Sequence, residues 1–159
     1  MMNAITLMQP RAEQTMRSEH PVISHNFKPT QPGRILIHAS RNREWLKLNS
    51  KETVDYPSGL AVAEMNFGEI IGAADVIDCV PRTRQIIPNA IQRKYPWLRT
   101  NPLATGPYVW ILANLVRFAV PIPCGGQPGL WQYRGPMPPE EGPDRRPVSE
   151  FDLDDTELY

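Results

Sequence analysis

Cysteine is almost missing from this 159-residue chain, with Cys79 and Cys124 the only two. Two thiols are too few for a disulfide scaffold or a cysteine zinc cage, so a reducing, cytoplasmic setting is expected. No stretch approaches the ~18 consecutive apolar residues of a membrane span, so no membrane partner is expected. The opening MMNAITLMQPR lacks a charged leader with a long apolar run and a small-residue cleavage site, so a secretory leader is not expected. The P-loop, H-E-x-x-H and G-x-S-x-G patterns are all missing, and with them the chemistry they carry. No cofactor and no metal are expected. Finally, the stretch from Pro81 to Pro107 contains no acidic residue at all.

What the chain has in excess is proline, 18 residues, about twice the usual ~5% share. Proline lacks the amide donor of a helix or sheet ladder, which disfavours extensive helical architecture. The net charge of zero is a cancellation. Residues 1–133 hold 14 Lys and Arg against 9 Asp and Glu, a balance of +5; residues 134–159 hold 3 against 8, a balance of −5. The first span is long enough for one globular domain with one core. The second, with five prolines in 26 residues, has too little apolar sequence for a core and reads as a disordered acidic tail.

Within residues 1–133, Ala4 to Leu7 reads as a short strand and Arg11 to Ser18 as a helix with Pro10 in its first turn. VISHNF (Val22 to Phe27) alternates apolar and polar residues, a strand signal that puts His25, Ile23 and Pro21 on one face and Ser24 and Val22 on the other. GRILIHAS carries a β-branched run typical of a core strand, and REWLKL reads as one or two helical turns. FGEIIGAADVIDCV is the clearest strand, with Gly68 and Gly72 suggesting a bulge or bend. Five prolines between residues 81 and 107 predict a long surface excursion. YVWILANLVRFAVPIP and GLWQY supply the last strands. Short bent strands with one or two short helices point to an α+β fold built on a small mixed β-barrel.

AITLMQP, GRILIHAS, GEIIGAADVIDCV, YVWIL and PIPCGGQPGLWQY, in that order, resemble the ASCH (activating signal cointegrator homology) domain of the PUA-like superfamily. The resemblance covers about residues 4–133. It implies a PUA-like β-barrel with flanking short helices and a central cleft that binds RNA or modified nucleobases, and in some members amidohydrolase or ribonuclease activity. The family's G-x-K-x-x-E-x-R motif falls on SEHPVISH, with Ser18 at the glycine, His20 at the lysine, Ile23 at the glutamate or threonine, and His25 at the arginine. Met8 stands at the opening tryptophan. The polar constellation of the amidohydrolase branch is therefore replaced, and its chemistry is not expected to carry over.

The expected function is binding of RNA or single-stranded nucleic acid through the cleft. Candidate contacts are His20, His25, Lys28, Arg34, Arg82, Arg84, Arg93 and Lys94, because cations neutralise phosphates and nearby aromatics stack on bases. Phe27, Trp45, Tyr95 and Trp97 are the aromatics near those charges, while Trp110 and Trp131 read as core. The alternative is a hydrolase on the same scaffold, a ribonuclease or an N4-acetylcytidine-type amidohydrolase with a non-standard site, with His20 and His25 as candidate acid and base. A third reading is a protein-interaction adaptor, with residues 150–159 (EFDLDDTELY) as the partner motif. His38 reads as a buried structural histidine. Glu64, Glu69, Asp75 and Asp78 are the acids near the central strand, without any further ligand motif beside them.

Overall fold

The structure, a computed structural model, describes residues 2–30, 33–43, 62–82 and 86–138. Six strands, β1 (Met2–Leu7), β2 (Val22–His25), β3 (Gly33–Ala39), β4 (Glu69–Pro81), β5 (Tyr108–Pro123) and β6 (Leu130–Tyr133), form one sheet. Helix α1 (Arg11–Arg17) follows β1, and α2 (Asn89–Lys94) lies between β4 and β5. Single 3-10 turns occur at Val62–Glu64 and Leu98–Thr100. No helix among the described residues is long and apolar enough to cross a membrane.

The strand order is β2-β5-β4-β3-β1-β6. The sheet is mixed, since β1 runs parallel to β3 and antiparallel to β6. A parallel neighbour needs a crossover, and α1 with β2 provides it. Strands β2 and β6 are the two edges, and no ladder joins them among the described residues. The architecture is thus an open mixed sheet with few helices, and the closed barrel expected from the sequence is not shown.

β4 and β5 form the longest ladder, and its register shifts three times, at Ile70/Gly72, Ala73/Asp75 and Val76/Asp78. Each shift adds residues to one strand and bends it. Gly72 shows why a glycine stands there, because a Cβ would collide with the Val116 carbonyl oxygen of the paired strand. Asn114, at φ 53, takes the left-handed conformation at the middle of these shifts, one that asparagine tolerates better than most residues.

Alternation along the strands sorts side chains into separate cores. Ile23 joins Ile5, Ile37, Ile71 and Trp110 beneath Ala12 of α1. Its neighbour Val22 joins Val80, Val109, Ile87, Leu98 and Leu103 instead. A third cluster gathers Leu36, Phe118, Trp131 and Tyr133. Burying each large apolar side chain contributes about 1.5–3 kcal/mol. α1 has only seven residues, too short to be stable alone, so its packing on the first core holds it in place.

Most strand expectations match the structure to within a few residues. The stretch 81–107 differs. It contains α2 and a 3-10 turn, and Ile87, Leu98, Leu103 and Ala104 bury against β2, β4 and β5. The prolines only punctuate a segment that carries its own small core. The REWLKL reading and the acidic residues 139–159 lie outside the described residues. Residues 134–138, expected within the acidic tail, are described, and the Tyr133 hydroxyl donates to the Pro136 carbonyl at 2.8 Å.

Candidate functional site

Several residues singled out in the sequence, His20, His25, Lys28, Arg93 and Lys94 among them, fall on two faces of the corner made by β2, β5 and β4. Odd positions of β2 face the first core. His25 pairs in register with Tyr108, and Ile23 with Trp110. On this inner face the His25 ring lies 4.1 Å from Phe27 and 5.9 Å from Trp110. Its Nδ1 accepts the Asn26 amide at 3.0 Å. The Trp110 indole N–H donates to the Phe27 carbonyl at 3.0 Å, locking the chain after β2 over the core. Lys28 is exposed and sets its ammonium 5.9 Å over the Tyr108 ring. Burial pushes the Cys79 thiol above its ordinary pKa, against the lowering influence of Lys28.

The other face belongs to the segment 86–107. Ser24 fastens it there: its hydroxyl donates to the Leu103 carbonyl at 2.6 Å and accepts the Thr105 amide at 2.8 Å. The Asn101 side chain donates to the His20 carbonyl at 2.8 Å. His20 then stacks flat on Trp97, with ring centroids 4.6 Å apart and planes 4° apart. Tyr95 meets Trp97 edge-on at 5.6 Å. Both rings of the stack are half-buried, and no second ring covers the outer face of His20 among the described residues. Arg93, Lys94 and Arg99 are exposed on α2 and the 3-10 turn.

Tyr95 and Lys94 converge on Asp78 from this side, at 2.6 and 3.2 Å. Burial works to raise the Asp78 pKa, but bonds from Tyr95, the Cys79 amide and Lys94 outweigh it, and the carboxyl ends below its ordinary value. Burial and the same carboxylate drive the Tyr95 phenol far above its usual range. The pair anchors α2 to β4.

Two of the expected contacts are engaged elsewhere. Arg34 donates to Asp75 at 2.9 Å and to the Asn114 carbonyl at 3.2 Å, bracing the bent region of β4 and β5. Arg82 donates to the Leu98 carbonyl at 2.8 Å, under the 86–107 segment. Arg84 lies outside the described residues. His20 and His25 have separate partners on opposite faces, and no contact joins them. The four acids are also dispersed: Glu64 pairs with Arg17, Glu69 with Asn66, Asp75 with Arg34 and Asp78 with Lys94.

His38 is 1% exposed. Its Nε2–H donates to the Cys124 carbonyl at 2.8 Å, and its Nδ1 stands 3.3 Å from the Thr6 hydroxyl, which accepts the Trp131 indole N–H at 3.0 Å. That chain fits a neutral imidazole. Burial lowers the His38 pKa; the Cys124 carbonyl opposes the shift and Arg41 adds to it. Gly126 packs so closely that a Cβ would strike both Thr6 and His38.

Two groups went unnoticed in the sequence. Glu13 of α1, 1% exposed, takes Arg17 at 2.7 Å and Arg117 of β5 at 2.7 Å. The i,i+4 spacing of Glu13 and Arg17 was a visible signal, whereas Arg117 is 104 residues away. Gln14 is 8% exposed with neither amide atom hydrogen-bonded, and no sequence signal marks it. A small cavity of about 20 Å³ between α1 and β2 is lined by Leu7, Arg11, Thr15, Val22, Ile23, Ser24 and Leu103. It has room for about one water and none for a base.

No protein-family model matches the chain, and a search of curated proteins finds no relative.

Proposed function

We propose that the chain binds RNA or another single-stranded nucleic acid, and that it does so on the 86–107 face. The observation that carries this reading is the parallel His20–Trp97 stack, in which Trp97 shares with exposed Arg93, Lys94 and Arg99 a stretch without one acidic residue. On this reading an unpaired base adds to the stack on the imidazole face turned away from Trp97, at about 1–3 kcal/mol per base. The guanidinium groups meet the adjacent phosphates. The inner face suits this role less well, since the His25 ring already meets two others, Phe27 and buried Trp110. The resemblance to the ASCH domain supports the same reading. On it, the open sheet is the core of a PUA-like barrel, and a cytoplasmic setting belongs to the proposal.

Fluorescence anisotropy with a labelled 12-nucleotide oligouridine over a salt series tests the reading. Affinity should fall linearly in log–log form as salt rises. Absence of binding at ~20 mM salt, where electrostatic attraction is strongest, overturns it.

A further inference from the structure

We propose that the acidic segment 150–159 of this chain docks on the 86–107 face and competes there with nucleic acid. The inference rests on the reading above, that this face takes a polyanion, and adds its regulation.

Three observations converge. First, the face is cationic: Arg93 and Arg99 are exposed without an ion-pair partner among the described residues, and Lys94 is 66% exposed beside Asp78. Second, residues 150–159 carry five acids and no base, interleaved with Phe151, Leu153, Leu158 and Tyr159. They match both halves of the surface, the cations and the half-buried Trp97 with exposed Ile86. Third, the tether is long enough. The described chain stops at Pro138, and residues 139–149 span up to ~40 Å. A domain of ~130 residues has a radius of gyration of about 14 Å. Tethering sets an effective concentration of the order of millimolar. At that concentration a contact too weak to matter between separate molecules still occupies the face. Salt screens charge pairs beyond ~10 Å at 0.1 M, so occupation should be strongest at low ionic strength.

Two measurements on the full chain test the proposal. In the first, Glu150→Gln, Asp152→Asn, Asp154→Asn, Asp155→Asn and Glu157→Gln are combined, and affinity for the 12-nucleotide oligouridine is compared with the parent. The neutralised chain should bind about 5- to 10-fold tighter at ~50 mM salt and within about 2-fold at ~0.3 M. Equal affinity at low salt overturns the proposal. In the second, carbodiimide joins lysine amines to touching carboxylates in the parent chain without RNA. Lys94 should crosslink to residues 150–157 of its own chain at low salt and lose that product at high salt. Crosslinking to Asp78 alone, or only to a second copy, contradicts the proposal. Loss of the tail's long-range repulsion would tighten RNA binding without any docking, but that repulsion produces no crosslink in the parent, so the second measurement isolates docking. If the crosslink forms but no RNA binds, docking stands and the nucleic-acid reading fails.

Discussion

His20 and His25 stand five residues apart, and the corner of the sheet treats them in opposite ways. His25, on the inner face, meets Phe27 edge-on and lies 5.9 Å from Trp110 of the main core. His20, on the outer face, lies flat on Trp97, and no second ring stacks on it among the described residues. Each face combines a histidine, aromatic rings and a lysine. What separates them is what the rings rest on: Trp110 is fully buried and bonded to the backbone, and Trp97 is half-buried on a peripheral segment. The inner cluster therefore rests on the core, and the proposed function assigns recognition to the outer one. Residue composition alone does not tell the two apart.

The largest effect that would sharpen this contrast is on stability. Trp110→Ala should destabilise the fold by about 3–5 kcal/mol, read from urea unfolding. Trp97→Ala should cost clearly less, because Trp97 is only partly buried at the margin of a smaller core. Equal losses would erase the distinction. The next effect belongs to binding. Trp97→Ala should weaken oligouridine affinity by about 1–3 kcal/mol while the fold remains intact, as judged by its urea midpoint.

A smaller effect concerns His38, on neither face of this corner. Its folded pKa lies below the ordinary 6.5, so as pH falls the unfolded chain takes up the proton first. Stability should decline from pH ~6.5 down to the lowered folded value and level off below it, with a slope of at most ~1.4 kcal/mol per pH unit from this one group. His38→Gln should flatten that part of the urea-midpoint profile. A slope unchanged in the variant would assign it to other groups. The smallest effect is a gain. Gln14→Leu removes a buried amide that lacks any partner and should stabilise by about 1 kcal/mol. A loss instead would show that the amide has a bonding partner in solution.

Much of the fold was legible in local sequence. The period of two across residues 22–25 placed Ile23 and His25 opposite Val22 and Ser24, as the two cores confirm. Gly72 announced the bend it permits. What no local pattern contains is the partner across the sheet. Arg34 looked like a free cation because Asp75, which holds it, is 41 residues away. The 81–107 stretch read as a surface excursion because its prolines obscured four apolar residues that find their core on distant strands. The candidate site depended on the same kind of information, since only the chain's path brings Trp97 beneath His20.

The most direct test of the account compares two full-length double variants by oligouridine anisotropy at ~50 mM salt: Arg93→Ala with Arg99→Ala on the outer face, and His25→Ala with Lys28→Ala on the inner face. The outer variant should lose at least ~10-fold in affinity and reduce the log–log salt slope by about 1.4, two phosphate contacts at ~0.7 each for a single strand. The inner variant should stay within about 2-fold of the parent. The opposite ranking, or equal losses, would contradict the assignment of nucleic-acid binding to the 86–107 face.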